Sequence, residues 1–338
     1  MSRWADDPER AADDLIGRTL PSLDLAGSLL LAYQEGGLPA LLADRALKCR
    51  IWNRRAGASE KAEPWPAAGP FDAALLRLPR AKAEQEMAAH ACLSVLAPGG
   101  RLIVYGGNDE GIRSVAALIA RVCGEVETLA TRGHGRVLAA RRPAEASRLR
   151  GALAAWRSAK PIEIGGSIRD WVSYPGVFAA DRIDEGTGLL VGALPPLAEA
   201  ARVLDYGCGS GMIAASAIAG APGIRLDLLD LDAVALAAAG ENVAGARRIL
   251  GASLAAAGAA RYDAILSNPP LHRGATEDHA LLHQLIADAP RHLVPGGVLQ
   301  IVVQRRVPLD QALAKGFAAV TVPAENSRYR VWRARMGE

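Results

Sequence analysis

The stretch VLDYGCGSG, residues 203–211, joins an apolar run to three alternating glycines. We interpret the run as a strand and the residues near 212–219 as a helix. Glycines there allow a sharp turn and a close ligand approach, and a helix N-terminus offers free N–H groups. A dinucleotide fingerprint would need glycine where Met212 stands, and Asp205 would repel a pyrophosphate. The stretch therefore predicts an α/β domain whose first loop binds an ammonium-bearing nucleoside without phosphates.

A second acid follows this loop at the spacing of a ribose ligand. Asp230 ends the next predicted strand, 19 residues after Gly211, and an acid at this place can accept both ribose hydroxyls. Together the two acids predict S-adenosylmethionine as the cofactor. The candidate cofactor-binding residues are Asp205, Gly207, Gly209, Gly211, Asp230, Leu231 (against the adenine face) and Ser253.

The segment SNPP, residues 267–270, closes the next major predicted strand. Its two prolines restrict the backbone and leave the carbonyls as fixed acceptors. With the side-chain oxygen of Asn268, these carbonyls can hold a planar –NH₂ group and stabilise the positive charge that develops on its nitrogen during methyl transfer. We take Asn268, Pro269, Pro270 and Leu271 as the candidate catalytic residues. Guanine N2, adenine N6 and a protein glutamine amide all satisfy this chemistry.

The chain also contains an internal repeat. FDAALLRLPR (71–80) matches YDAILSNPPL (262–271), and LAPGGRLIVYGG (96–107) matches LVPGGVLQIVVQ (293–304). A period of about 190 residues indicates a duplicated domain. We predict two tandem Rossmann-like methyltransferase domains, residues 1–155 and 160–338.

The first copy lacks the residues that the second uses for cofactor binding and chemistry. By sequence alignment it has Ala32 and Gln34 for Asp205 and Gly207, and Asn53 or a neighbour for Asp230. It has Arg77-Leu78-Pro79 in place of Asn-Pro-Pro. We therefore predict that only the second copy binds cofactor.

Positive charge is concentrated in the first half. Residues 1–160 contain 23 Lys and Arg against 18 Asp and Glu, and between Arg132 and Lys160 only Glu145 is acidic. Such clusters are typical of phosphate-backbone contacts, although a solvated linker helix would have the same composition. The candidate substrate-docking residues are Arg77, Arg80, Lys82, Arg141 and Arg142.

Composition excludes several other classes of protein. No apolar run reaches the roughly 18 residues of a membrane helix, and the charged N-terminus has no signal-peptide pattern. The four cysteines form no CxxC pair, and His279 and His283 lack the glutamate of a zinc-protease motif. We predict a cytoplasmic protein without a metal.

These motifs together resemble the RsmC/RlmG group of bacterial ribosomal RNA guanine-N2 methyltransferases. The resemblance covers the whole chain and depends on residues 268–274, on YPGVFAADRIDEGTGLL (174–190) and on RLPRAKAE (77–84). It implies guanine-N2 methylation, with 16S ribosomal RNA or the small subunit as partner and a degenerate N-terminal copy that assists RNA binding. It places Phe178, Asp184, Gly186 and Thr187 near the cofactor, and we add Phe178 and His272 as candidate substrate contacts.

One position departs from the family pattern. Leu271 stands where the group has an aromatic residue that stacks on the target base, a loss of about 1–3 kcal/mol of stacking unless a neighbour compensates. The identity of the methylated base therefore stays open. A nucleic-acid-binding module without activity is a further alternative, which the intact cofactor and Asn-Pro-Pro motifs argue against.

Overall fold

The computed structural model describes residues 8–34, 37–57, 61–179, 182–269, 272–273, 276–277 and 280–338. The described residues form two compact units. One contains the chain up to Arg54 together with Glu63–Arg157, and the other contains Arg55–Ala62 together with Ser158–Glu338. Each unit has its own twisted sheet covered by helices, so the predicted fold class is confirmed.

The first unit contains four α-helices and six strands among its described residues. In chain order they are α1 (Pro8–Thr19), β1 (Ser28–Ala32), α2 (Leu38–Leu42), β2 (Lys48–Trp52), β3 (Phe71–Arg77), α3 (Lys82–Val95), β4 (Leu96–Gly107), α4 (Ile112–Cys123), β5 (Glu127–Arg132) and β6 (Gly135–Arg141). Short 3-10 helices occupy Leu20–Ser22 and Leu153–Trp156. The strand order is β2-β1-β3-β4-β6-β5, with β1 to β4 parallel and the last two antiparallel.

The second unit repeats this plan with additions. Its elements are β7 (Ser158–Ile164), β8 (Ser167–Ser173), α5 (Glu185–Val191), β9 (Arg202–Tyr206), α6 (Met212–Gly220), β10 (Arg225–Asp230), α7 (Ala233–Asn242), β11 (Arg247–Leu250), β12 (Tyr262–Ser267), β13 (His272–Arg273), β14 (Thr276–Glu277), α8 (Ala280–His292), β15 (Leu293–Gln304), α9 (Asp310–Ala314), β16 (Ala319–Glu325) and β17 (Tyr329–Arg335). A 3-10 helix occupies Leu254–Ala257. The main sheet has the order β11-β10-β9-β12-β15-β17-β16.

Successive side chains of the central strands point to opposite faces of the sheet, which explains why the core has two layers. Val203 and Leu266 point into one apolar cluster, while Leu204 and Ile265 point into the cluster on the opposite face. Parallel strands covered on both faces need apolar residues at successive positions, which is what β9 and β12 have. The arrangement brings the carboxyl ends of β9, β10, β12 and β15 to one edge of the sheet, where the loops that carry the motifs begin.

The register of the two sheets shows which residues correspond and corrects one alignment. Leu31 pairs with Leu75 as Asp205 pairs with Leu266, so Leu31, and not Ala32, stands at the place of Asp205. One step later Tyr33 corresponds to Gly207, and each donates its N–H to the equivalent carbonyl of the neighbouring strand. Each copy has a tyrosine near the end of its first predicted strand, and matching those tyrosines shifted the alignment by one position.

The shared Asp-Ala of the two repeats has a structural explanation. Asp72 Oδ2 accepts the backbone N–H of Ser28 at 2.7 Å. Asp263 Oδ2 accepts the backbone N–H of Arg202 at 2.8 Å. Each aspartate thus ties the start of its strand to the start of the central strand beside it. Asp263, like Asp72, therefore has a structural role.

The region between the repeats differs from a linker helix. Arg132, Arg136 and Arg141 lie on the antiparallel pair β5–β6, and no helix covers residues 142–152. From Ser158 the chain forms the β7–β8 hairpin, which turns at Gly165 and Gly166, both with positive φ. Within the described ranges, no helix has the length and apolar character needed to cross a bilayer.

Candidate active site

The glycine loop leaves β9 in a left-handed conformation at every second residue. Gly207, Gly209 and Gly211 have φ of 68°, 53° and 89°, values that cost little only for glycine. A Cβ on Gly211 would lie 2.9 Å from Val243, whereas one on Gly209 would meet nothing within 4 Å. Gly211 is therefore needed for packing, and Gly209 leaves an open backbone surface that a ligand can approach.

Asp205 is fully buried beneath this loop. Its Oδ2 accepts the backbone N–H of Ala214, in the first turn of α6, at 3.0 Å. Its Oδ1 is buried with no hydrogen-bond partner among the described residues. The pKa of Asp205 is raised to about 7, chiefly by burial and in part by nearby Asp230, while the hydrogen bond from Ala214 opposes the shift. An unsatisfied buried carboxylate oxygen fits a cationic ligand group such as the cofactor's ammonium.

Asp230 lies at the end of β10, directly beside the glycine loop. Its Oδ2 accepts the N–H of Gly209 at 2.8 Å and its Oδ1 accepts the N–H of Asp232 at 2.9 Å. Burial raises the pKa of this carboxyl to about 6, an effect that Asp232 reinforces and Arg55 opposes. Each oxygen keeps a further lone pair, so the oriented carboxylate can still accept ribose hydroxyls.

Two other segments complete the surroundings of Asp230. The backbone of Ala56 donates to the carbonyl of Leu231 at 2.7 Å, and Arg55 pairs with Asp232 at 3.4 Å. In the loop after β11, Gly251 N donates to the carbonyl of Asp230 at 3.0 Å. Ser253 follows in that loop, half-buried, at the start of the 3-10 helix. The predicted cofactor residues of β9, β10 and the β11 loop are therefore adjacent.

Asn268 is held by two residues from the start of α5. Its Nδ2 donates to Thr187 Oγ1 at 2.9 Å and to Asp184 Oδ2 at 3.1 Å. Asp184 caps α5, because the same oxygen accepts the N–H groups of Gly186 and Thr187 at 3.0 and 3.2 Å. A carboxylate can only accept, so the amide nitrogen must face it, and Oδ1 becomes the acceptor end of the amide.

The remainder of the Asn-Pro-Pro motif is described in part. Pro269 is buried beside Asn268. Pro270 and Leu271 lie outside the described residues, as does His279, and His272 is described only as the first residue of β13. Phe178 lies on the segment before α5 with a ring that is 62% exposed, so it is available to a ligand from solvent.

The β7–β8 hairpin supports the glycine loop, which the sequence interpretation missed. Trp171 Nε1 donates to Ser210 Oγ at 3.0 Å. Asn242 Nδ2 donates to the carbonyls of Ser210 and Val172 at 3.0 and 2.8 Å, and its Oδ1 accepts from Val172 N. The Gly165-Gly166 pair between runs of alternating polarity was a signal for this hairpin.

Arg77 was predicted to dock RNA, and in the structure it lies in a group of ion pairs within the first unit. It stands at the position of Asn268 in the first sheet and forms a bidentate pair with Glu110, at 2.7 and 2.8 Å. Asp13 lies 3.6 Å from its Nε. The Arg77 side chain is 13% exposed, so its charge is balanced inside the unit. Arg80 and Lys82, predicted with it, are exposed.

Some arginines at and after the end of β6 bind backbone carbonyls of their own unit. Arg141 is exposed and donates to the carbonyl of Gly99 at 3.1 Å, while half-buried Arg142 donates to the carbonyl of Leu96. Arg150 covers the ring of Trp156 at 3.6 Å from its centroid. Arg148 is exposed. Arg141 is thus mostly exposed to solvent, whereas Arg142 is better placed to support the start of β4.

No group of three His, Cys, Asp or Glu side chains among the described residues is arranged to hold a metal ion. Cys208, between two glycines of the loop, is buried, and burial above all raises the pKa of its thiol well above the usual value. Such a thiol is a poor nucleophile, and the Cys208 side chain contributes to packing.

Both units match known families of methyltransferase domains. Residues 169–333 match the methyltransferase small domain, and residues 17–150 match its N-terminal companion domain. A protein of Shewanella halifaxensis named ribosomal RNA small subunit methyltransferase C is 32% identical over 269 residues, which cover 78% of this chain and 76% of the relative. The chain belongs to the ribosomal RNA small subunit methyltransferase C family. The resemblance inferred from the sequence is confirmed.

Other members of the methyltransferase C family extend the match. The Shewanella oneidensis protein of the same name is 29% identical over 325 residues, covering 94% of this chain and 90% of the relative. The fold matches the T. thermophilus 16S rRNA N2 G1207 methyltransferase, solved in complex with AdoMet and guanosine, with a TM-score of 0.83 and 24% identity over 99% of this chain and 93% of that one. This structural match shows that the methyltransferase C fold extends over both units.

Proposed function

We propose that this enzyme transfers a methyl group from S-adenosylmethionine to the exocyclic N2 amine of a guanine in 16S ribosomal RNA. The observation that carries the proposal is the fixed amide of Asn268. Asp184 and Thr187 hold its nitrogen, so Oδ1 is the end offered to a donor. Asn268 lies at the carboxyl edge of the sheet, beside β9, the strand that contains Asp205. The names of the relatives, which act on small-subunit RNA, agree with this substrate.

The residues around the glycine loop fit the proposed cofactor. The orphan Oδ1 of Asp205 offers a buried negative charge for an ammonium, and Asp230 offers oriented acceptors for ribose hydroxyls. Leu231 follows Asp230 in the chain, Ser253 lies two residues after Gly251, whose N–H binds the carbonyl of Asp230, and both would border the adenine. When bound, S-adenosylmethionine supplies an electrophilic methyl group on a sulfonium.

Asn268 is proposed to act on the nucleophile. The N2 lone pair of guanine is delocalised into the ring, so the amine is a poor nucleophile until acceptors hold its protons. Asn268 Oδ1 and the carbonyls of the Pro269-Pro270 segment would accept these N–H groups and stabilise the positive charge that develops on nitrogen. Holding the amine in line with the methyl group supplies a further part of the rate enhancement. The amine gains the methyl group as the sulfur–methyl bond breaks, the neutral thioether S-adenosylhomocysteine is the leaving group, and the proton that the amine loses passes to solvent.

The first unit is proposed to dock the RNA through exposed basic residues. Arg80, Lys82, Arg141 and Arg148 are exposed, and their donors suit phosphates. A ribosomal RNA or small-subunit substrate also implies a cytoplasmic enzyme.

Methyl transfer into defined substrates tests the proposal. Labelled cofactor is incubated with the enzyme and small subunits, naked 16S RNA, DNA or protein, and the RNA is then digested to nucleosides. We expect label in N2-methylguanosine. Asn268→Ala should lower turnover by about 10²–10³-fold with cofactor affinity retained. Label in N6-methyladenosine would instead make adenine the target, a possibility that Leu271 raises, and label in protein would refute an RNA substrate.

A further inference from the structure

An arginine-lined cleft opens at the carboxyl edge of the second sheet. It lies where β15 ends and β17 begins and has a volume of about 290 Å³. Two short segments form its walls, residues Gln304, Arg305, Arg306, Ser327, Arg328 and Tyr329. None of these residues belongs to the motifs that identify the cofactor loop or the Asn-Pro-Pro loop.

The cleft has an excess of positive charge that a ligand can reach. Arg305 and Arg328 have side chains that are 50% and 68% exposed, and Arg306 is exposed as well. Two acids at the rim pair with these arginines: Glu325 lies 3.7 Å from Arg305, and Glu185 lies 2.7 Å from Arg328. Exposed ion pairs of this kind contribute little free energy, so a phosphate can compete with the glutamates for the guanidinium groups.

Two observations place the cleft next to the Asn268 loop. First, Ser267 pairs with Ile301 across neighbouring parallel strands, so the ends of β12 and β15 share one edge. Second, Arg328 binds Glu185, the residue after the Asp184 that holds Asn268. The ring of Tyr329 lies over Gly186, close enough that a Cβ there would stand 3.2 Å from it. The wall of the cleft and the support of Asn268 are thus built on the same turn of α5.

We propose that this cleft binds a backbone phosphate of the RNA strand next to the methylated base. The inference deepens the proposed function, on which it rests. Guanidinium groups bind phosphate oxygens in a bidentate fork, and the exposed hydroxyl of Ser327 can add a donor. An enzyme that acts on a base amine must take an unstacked base and hold the strand that carries it. A phosphate site within the catalytic unit would fix that strand at the reacting nucleotide.

The salt dependence of RNA binding tests this proposal in the full-length enzyme. The probe is a 16S RNA fragment that the wild type methylates, or any single-stranded RNA that it binds if it methylates none. The dissociation constant is measured across a potassium chloride series without cofactor. The Arg306→Ala/Arg328→Ala variant should lower the slope of log affinity against log salt by about 0.7, the value for one lost single-strand phosphate contact. Its affinity for S-adenosylmethionine, measured without RNA, should stay at the wild-type value.

Arg291→Ala is the matched control. Arg291 is 82% exposed and pairs with Asp288 at 3.8 Å, and it precedes the amino end of β15, at the opposite edge of the sheet. This variant also breaks an exposed ion pair but should keep the wild-type slope. A wild-type slope in the double variant, or an equal loss in Arg291→Ala, would overturn the proposal.

The two proposals fail in distinguishable ways. A wild-type enzyme that forms no N2-methylguanosine refutes the proposed function, whereas the salt slope is a binding measurement that needs no methyl transfer. Loss of cofactor affinity in the double variant would show a damaged methyl-donor site and also count against a separate phosphate cleft. The milder Arg306→Ala variant then repeats the slope measurement, and its slope should be lower than that of the wild type by at most about 0.7.

Discussion

Asp184 and Asn268, 84 residues apart in the chain, share a hydrogen bond of 3.1 Å that links the cap of a helix to the proposed catalytic amide. The same carboxylate oxygen accepts two backbone N–H groups of α5. The orientation of the amide is therefore fixed by a structure already formed, and no substrate is needed to select it. Preorganised acceptors of this kind stabilise developing charge without a reorganisation cost.

Substitutions of Thr187 test whether its hydrogen bond to Asn268 positions the amide. Thr187→Val keeps the shape of the side chain and removes the acceptor of Asn268 Nδ2, so the amide should rotate more freely. We expect turnover to fall about fivefold, since one neutral hydrogen bond contributes about 1 kcal/mol, with little change in the KM for RNA. Thr187→Ser keeps the hydroxyl and should retain most of the rate. Equal activity in the valine and serine variants would show that the bond does not position Asn268.

Asp205 makes the stability of the ligand-free enzyme depend on pH. Its pKa of about 7 in the folded state exceeds the unfolded value of about 4, so the folded state binds more protons between these values. The contribution of this group is therefore greatest below about pH 4 and is lost as the pH rises to about 7. Asp205→Asn should be relatively more stable at pH 8 than at pH 5, by at most about 3 kcal/mol.

Unfolding in denaturant at both pH values, for wild type and Asp205→Asn, measures this difference. Comparing the two pH values cancels the cost of the new amide, which is the same at each. The variant should bind S-adenosylmethionine more weakly at pH 8, because it has lost the charge that faces the ammonium. A pH-independent stability difference would mean that Asp205 keeps an ordinary pKa.

Asp230 should affect cofactor binding more than the rate of the saturated reaction. Its bonds to ribose would exist before and during methyl transfer, and such uniform interactions change affinity and not turnover. Asp230→Ala also frees the N–H of Gly209, so the loop loses support from the same side chain. We expect weaker cofactor binding by calorimetry with a much smaller change in rate at saturation. A large fall in that rate at unchanged affinity contradicts the assignment.

The parts of the site that sequence could predict are those set by local pattern. The β9 loop with its glycines and the acid at the end of β10 each lie within a few residues of a recognisable strand, and they are adjacent in the folded unit. The contact of Asn268 with Asp184 and Thr187 depends on how α5 packs, which no spacing specifies. The hairpin of Trp171 was obscured by the basic segment before it.

The correspondence of the two copies shows a similar limit. Sequence alignment matched Tyr33 with Tyr206, since both are tyrosines near the end of a predicted strand. Strand register matches Tyr33 with Gly207. Tyr33 has a φ of 59° and Gly207 one of 68°, so the first copy keeps the left-handed turn although it has lost the glycine. Only hydrogen-bond register, which sequence does not display, reveals this.

Arg77 and Arg80 allow a comparison between a buried, paired arginine and an exposed arginine that is proposed to dock RNA. Burial by itself would lower the pKa of Arg77 and raise that of Glu110, but their hydrogen bonds overcome burial and shift both in the charged direction. Glu110 is 2% exposed. Arg77→Ala would leave this carboxylate buried without its main partner and should destabilise the protein by about 3 kcal/mol. Arg80→Ala, at a side chain 45% exposed whose Nε lies 4.0 Å from Glu110, should cost less than about 1 kcal/mol.

The effects of the two substitutions on RNA binding should be in the opposite order, with Arg80→Ala having the larger effect. Arg80 is exposed beside Lys82, so Arg80→Ala should reduce the slope of RNA affinity against salt by about 0.7, the value for one single-strand phosphate contact. Arg77→Ala should leave that slope unchanged at a temperature where it stays folded. The Arg77→Met/Glu110→Leu variant removes both charges and should recover most of the lost stability, because neither partner is left unpaired. If Arg77→Ala instead lowers the salt slope while stability is retained, Arg77 binds RNA and the pair with Glu110 opens when it does so.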